Sequence, residues 1–271
     1  MTARILANPP LAIGTLILGC VLALTLLAPL VAPYGVAEQS IPDRLQRPGG
    51  KHLLGTDQYG RDLLTRTLFG GRTALLLGLG AVALGLLFGV PVGLASGYAG
   101  GRTDEVIMRV VDALLSFPAL LMALMIITAL GASTLHALLA IGVANGPGIA
   151  RVVRSQTLAV KHEEFVLAAR AQGESHAYIM FGEILPNLLP PIVIEASIRV
   201  GFAILASASL SFLGLGVQPP TADWGLMIRE ARQYIFLSSW PLLCPGLALA
   251  LTIVGFNLLG DGVRDRLTGR V

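Results

Sequence analysis

Two charged side chains stand inside an otherwise uncharged run of this chain, Glu195 and Arg199, spaced i,i+4 and so on one face of a helix. In hydrocarbon each is costly alone, and together they can pair. They suit a polar pathway or an interface between chains; they equally suit a structural ion pair reaching for the membrane edge. Other chemistry is thin. The only lysines, Lys51 and Lys161, lie outside any G-x-x-x-x-G-K-[ST] pattern, so the chain is not itself a phosphate-loop ATPase. Gly78-x-Gly80-x-x-Ala83 superficially fits a dinucleotide fingerprint, but no strand precedes it and close helix packing is the better reading. His52, His136, His162 and His176 are scattered, without a ligand pair at helical spacing. Gly131-Ala132-Ser133 with His136 lacks the second glycine of a nucleophile elbow. Asp57 and Asp62 lack the spacing of a calcium loop; a helix cap and a partner for Arg61 are the roles expected of them. Cys20 and Cys244 lie in apolar runs and form no metal or disulfide pattern. Neither an enzyme nor a cofactor site in this chain is expected.

The elements that hold these residues must lie in a membrane. Of 271 residues, 54% are apolar and 13% charged, and mean hydropathy is +0.75. A soluble chain carries about 25% charged residues to wet its surface. The net charge of +3 is too small to suggest a nucleic-acid partner, and no internal repeat is evident. About 20 apolar residues span the hydrocarbon core, and six runs qualify: Leu11 to Ala32, Thr73 to Gly101, 113–130, 135–153, Pro186 to about Leu213, and Trp240 to Gly260. The third and fourth divide at Gly131-Ala132-Ser133-Thr134, because 117–150 as one helix would run about 51 Å. Six crossings put both termini on one side. Arg4, Arg102, Arg109, Arg151, Arg154, Lys161, Arg170, Arg264, Arg266 and Arg270 then face Arg44, Arg47, Lys51, Arg61, Arg66, Arg72, Arg229 and Arg232, a count of ten against eight that favours cytoplasmic termini.

Between the fourth and fifth runs, residues 162–172 are good helix formers and Gly173 is a natural stop. Ser175 then starts a second short helix, expected to end before Pro186. Ala168 and Ala169 leave a shallow surface suited to docking in a partner's groove, or to a plain interfacial connector. Nearer the N-terminus, Thr56 or Asp57 can cap a helix in which Leu63, Leu64, Leu68 and Phe69 recur near helical spacing. That predicts an amphipathic helix on the outer interface before the second span.

Four ordered motifs resemble one family. Glu164-Phe165-Val166-Leu167-Ala168-Ala169-Arg170-Ala171-Gln172-Gly173, with Leu185-Pro186, is similar to the cytoplasmic EAA loop of binding-protein-dependent ABC permeases, in the form found in their peptide and nickel branch. Leu167 stands where that pattern has Glu, and Glu164 lies one turn earlier. Gly55-Thr56-Asp57-Gln58-Tyr59-Gly60-Arg61-Asp62 resembles the signature after the first span of the C-type permease of that branch. Leu210 to Pro220 with Trp224-Gly225, and Asn257 to Asp265, resemble its later signatures. Ser207 replaces a Glu that the family often has.

The resemblance implies an all-α polytopic protein with six transmembrane helices and the type I ABC importer permease fold. An N-terminal span, outer loop and interfacial helix (1–72) would precede the permease core (73–265), with the EAA loop at 163–186 and a cytoplasmic tail (266–271). It implies a prokaryotic inner-membrane complex: a second, B-type permease, two cytoplasmic subunits that bind ATP, and an extracytoplasmic solute-binding protein. Glu164, Ala168, Ala169, Arg170, Gly173, Leu185 and Pro186 would couple to the ATPases, while Glu195, Arg199 and Ser207 are candidates for the pathway or the permease interface. Dipeptides, longer peptides and nickel are the implied solutes. The rival is a stand-alone ion-coupled carrier, which would want carboxylates deep in several spans, whereas Glu195 is the one clear candidate.

Overall fold

The computed structural model describes residues 8–267, and they are helical apart from turns, loops and one isolated bridge between Thr56 and Asp62. Arg4, Arg270 and residues 268–271 of the expected tail lie outside the described residues. The first helix, α1 (Pro9–Leu26), starts where Asn8 caps it, the Oδ1 accepting the Leu11 N–H, with prolines at positions whose N–H needs no partner. Then follow α2 (Leu63–Ala99), α3 (Gly101–Leu115), α4 (Ala119–Leu130), α5 (Thr134–Val160), α6 (Glu164–Ala171), α7 (Leu185–Phe212), α8 (Trp224–Ala231) and α9 (Trp240–Leu267).

Among the described residues, five helical segments are long and apolar enough to cross a membrane: α1, α2, α5, the segment ending in α7, and α9. The sixth crossing depends on α3 and α4, which bend by 83° at Ser116-Phe117-Pro118. The third span expected at 113–130 is therefore not straight. Pro118 forces its predecessor out of the helical region, and α4 alone is 12 residues, about 18 Å. The turn expected at 131–134 is present: Gly131 has φ +90°, and Ser133 caps α5 by accepting the His136 N–H.

Helix α2 and helix α5 form the tightest seam. Gly85, Gly89, Gly93 and Gly97 recur every four residues along α2. A Cβ at Gly89 would sit 2.7 Å from the Gly146 carbonyl oxygen, and one at Gly97 would sit 2.7 Å from Thr157 Cβ. With no hydrophobic force between helices in lipid, such backbone approach is what holds them. Helix α9 packs on α1 in the same way, since a Cβ at Gly14 would meet the Leu259 backbone. Buried Ala81, Val82, Ile127, Ile141 and Ile204 lie between α2, α4, α5 and α7. Leu16, Leu30, Leu87, Phe202 and Leu247 remain exposed on the outside of the bundle, the surface that lipid or a partner must cover.

The amphipathic interfacial helix is not a separate element. Residues 63–72 are the first turns of α2, a single 37-residue helix, and the boundary placed at 72/73 falls inside it. Leu63, Thr65, Arg66 and Leu68 are buried, and α8 packs on this end of α2: Trp224 is 1% exposed, and its indole Nε1–H donates to the Thr67 carbonyl at 2.9 Å. The cap is Asp62, whose carboxylate accepts the Thr65 N–H, rather than Thr56 or Asp57.

Candidate functional site

The loop between α5 and α6–α7 has a backbone that its sequence explains residue by residue. Glu164 opens α6 and Arg170 closes it, each opposite in sign to the helix end it occupies. At the far end the Glu174 N–H donates to the Ala169 carbonyl at 3.2 Å and the Gly173 N–H to Arg170 at 3.1 Å, the paired pattern of a Schellman cap. Gly173 carries the left-handed conformation this requires, φ +79°, with open space around it. Ser175 then caps the returning segment by accepting the Tyr178 N–H.

That segment does not stop before Pro186. His176–Tyr178 continues through a π-helical stretch, Ile179–Ile184, into α7. The Leu185 N–H reaches back to the Met180 carbonyl, five residues earlier. The widened turn makes room just where Pro186 has no N–H to give and would crowd an ordinary helix. Span five therefore reaches into the loop as one continuous helix, and Leu185 and Pro186 lie at the junction.

Beneath α6, Val166 and Ala169 pack on Ile179, Ile184 and Leu188. Ala169 thus faces inward, at 7% exposed, and the open surface expected from both alanines belongs to Ala168 alone. On α6, Glu164, Phe165 and Leu167 are exposed together with Ala168, and on the returning segment Tyr178 and Phe181 are exposed too. Nothing in the linear chain marks Phe165, Tyr178 or Phe181 as exposed, and Leu167 is marked there only as a departure from the family's Glu. Knowing that Val166 is the inward residue would have revealed them, since the rest of α6 then turns outward. Leu167, half exposed, offers no ion pair where the family pattern has Glu.

In the middle of α7, Arg199 donates from Nε to Glu195 Oε1 at 2.6 Å and from Nη1 to Asn145 Oδ1 on α5 at 3.3 Å. Gly148 on α5 makes room for the guanidinium, since a Cβ there would lie 2.5 Å from Nη2. The pair is partly buried, with side chains 21% and 24% exposed. Ser207, two turns further on, is buried inside the bundle, and its hydroxyl finds no hydrogen-bond partner among the described residues. It does not join the charged pair.

At the opposite end of the molecule, the Gly55–Asp62 motif is a knot. Asp57 accepts from the Tyr59 and Arg61 N–H groups and from Arg61 Nε at 2.5 Å, while Arg61 Nη2 reaches Glu230 on α8 at 2.5 Å. His52 Nδ1 lies 2.9 Å from Asp62, and Gly60, with φ +73°, turns against the Ser40 backbone where a side chain would collide. Asp43 pairs with Lys51, whose ammonium holds that carboxyl down at about 2. The expected pairing of Asp57 with Arg61 is found, and Asp62 supplies the cap. The later motifs also pack on partners from far away in the chain: Asn8 Nδ2 donates to the Gly262 carbonyl.

Residues 89–271 match the family described as binding-protein-dependent transport system inner membrane component. The chain belongs to this family. The permease is 42% identical over 255 residues, 94% of its length and 84% of the relative's, to a dipeptide transport system permease protein, DppC, of Alkalihalophilus pseudofirmus. It is 40% identical, over 97% of its length and 88% of the relative's, to a probable D,D-dipeptide transport system permease protein, DdpC, of Escherichia coli. Its fold resembles a chain of the MetNI methionine ABC transporter in an inward-facing conformation, with a TM-score of 0.62 and 22% identity over 74% of this chain and 95% of that one. The protein is thus a multi-pass permease subunit of an ABC importer, not an enzyme, and a permease of this kind works with ATPase and permease partners. A carrier acting alone is not favoured.

Proposed function

We propose that this permease forms half of a translocation pathway for small peptides. Its partners would be a different, B-type permease, two cytoplasmic ATP-binding subunits and an extracytoplasmic solute-binding protein. Substrate class is supported by the two relatives, both described as dipeptide permeases. No cofactor is assigned to this chain; ATP belongs to the partner subunits. Both termini, and the loop over residues 163–186, are assigned to the cytoplasm.

One observation carries the coupling assignment. The α6 hairpin is braced from below by Val166, Ala169, Ile179 and Ile184, yet exposes Phe165, Leu167, Ala168, Tyr178 and Phe181. A firm base under an apolar, small-residue face is the surface a helix-in-groove contact needs. Closure of the ATPase dimer would push this face, and α7, continuous with the loop, would carry the displacement into the span that holds Glu195 and Arg199. The chain contributes a moving wall and no covalent chemistry. Glu195, Arg199 and Asn145 are assigned to the wall of the pathway or to the junction with the second permease.

The test is uptake in proteoliposomes holding the four membrane-complex subunits, with the binding protein outside. Dialanine uptake that needs ATP and every subunit is expected. Uptake of nickel but not of dialanine or longer peptides would replace the proposed substrate.

A further inference from the structure

We propose that Tyr98 is a positioning residue that clamps both arms of the 163–186 loop to the end of α2, so that loop movement is delivered to that helix. The proposal rests on the reading of this loop as the coupling element.

Tyr98 lies in the last turn of α2. Its hydroxyl is 2.8 Å from His176 Nδ1, and the two rings meet edge-on with centroids 5.7 Å apart. With Nδ1 unprotonated, the tyrosine donates. The Arg170 guanidinium sits over the same ring, 5.0 Å from its centroid. Arg170 belongs to the last turn of α6, whereas His176 begins the returning segment after the Gly173 turn. A single side chain therefore holds both arms of the hairpin, from a different part of the chain.

Three features make this a clamp rather than one more packing contact. Tyr98 borders the buried group Leu94, Val166, Ala169, Ile179 and Ile184, so the hairpin's base and the end of α2 are already in van der Waals contact. Apolar contact alone is non-directional and lets surfaces slide; the hydrogen bond and the cation–ring contact fix direction. A second strap lies beside it, Lys161 Nζ donating to the Gly97 carbonyl at 2.9 Å. Gly100 and Gly101, with φ +67° and +53°, then break the chain's course, so α3 does not extend the rod. What does extend is α2 itself, about 55 Å long at 1.5 Å per residue. Its first turns hold Arg66, packed in the knot where Arg61 pairs with Asp57 and Glu230. Helix α2 thus joins the loop to the opposite end of the molecule.

The test uses the full complex, with Cys20 and Cys244 replaced and spin labels at Glu174→Cys and Arg102→Cys. Tyr98→Phe keeps the ring under Arg170 and removes the bond to His176; Tyr98→Leu removes both. Distance distributions between the labels should broaden in both variants, more in Tyr98→Leu. Dialanine imported per ATP hydrolysed should fall about three-fold in Tyr98→Phe and about ten-fold in Tyr98→Leu, the range expected for one hydrogen bond and for that bond plus a cation–ring contact. Adding His176→Leu to Tyr98→Phe should cost less than His176→Leu costs in the parent, because the bond the two residues share is already gone and only the ring contact remains to lose. A merely structural role would lower assembly and leave the ratio of import to hydrolysis unmoved. Should Tyr98→Leu fail to assemble, the near-isosteric Tyr98→Phe and its combination with His176→Leu decide the matter. Parental distances and parental import per ATP in Tyr98→Phe, or additive losses in the double variant, overturn the clamp. If Gly173→Val also imports normally, the coupling role of the loop itself fails; if only the Tyr98 variants behave as the parent, the clamp alone is wrong.

Discussion

Gly173 and Asp223 show how much one residue decides. Gly173 adopts φ +79° in open space, so a side chain there meets no neighbour and the cost of replacing it is backbone strain. A β-branched residue in that region costs about 1–3 kcal/mol, enough to undo the Schellman cap without unfolding the bundle. Gly173→Val should assemble normally while uptake and binding-protein-stimulated ATP hydrolysis fall together, measured in proteoliposomes at equal permease content. Gly131, at φ +90° and ψ 155° at the α4–α5 turn, is a glycine-only position outside the loop, so Gly131→Val controls for backbone strain as such and should keep the ratio of uptake to stimulated ATP hydrolysis that Gly173→Val loses. Asp223 caps α8 through the Leu226 N–H and is 2% exposed; burial pushes its carboxyl up to about 6. Its folded pKa lies above the unfolded value of 3.8, so the stability it contributes is full below about 4 and is lost as pH rises through about 6. Asp223→Asn keeps a capping side chain without the charge. Thermal midpoints in detergent should show a weaker pH dependence between 4 and 7 for Asp223→Asn than for the parent. Asp223→Ala should be about 1 kcal/mol less stable at pH 4 through loss of the cap.

Among the elements, α2 bears the most. Its glycines approach α5 closely on one face, Trp224 packs on its first turns, and Tyr98 holds the loop at its last. Substitution along the seam should therefore be far worse than substitution on a lipid face of equal hydropathy. A Cβ at Gly93 would lie 2.8 Å from Val153 Cβ, whereas Gly19, exposed on α1, has nothing within 4 Å. Overpacking costs about 1–3 kcal/mol and more where backbone must move. Gly93→Val should abolish the monodisperse peak of detergent-purified complex in gel filtration, and Gly19→Val should leave it. Equal yields would show that the α2–α5 approach is slack.

At the scale of the whole molecule, the assignment of faces makes a direct prediction. In a background without Cys20 and Cys244, single cysteines at Glu174 and Arg266 should react with an impermeant maleimide only from the cytoplasmic side. Those at Lys51 and Arg229 should react only from outside. Glu174 is preferred to Arg170 because the latter is engaged with Tyr98. Labelling of all four from one face would remove the arrangement. Much of the architecture was legible in the linear chain, for a physical reason. A bilayer demands long uncharged runs, and those runs, together with helix stops at Gly131 and Gly173, are written in consecutive residues. The four motifs likewise lie in short stretches, which is why the family was visible in them. What only the tertiary structure decided is which face each helix turns inward. Residues 63–69 look like an interfacial helix until Trp224 covers them, and Ala168 and Ala169 look alike until Val166 is placed against Ile179. Pro186 reads as a stop until a π-helical stretch makes room ahead of it. The link from Tyr98 to His176 spans 78 residues, and nothing within either segment marks the other. Runs and stops depend on neighbours in sequence; orientation and clamps depend on neighbours in space, which folding alone supplies.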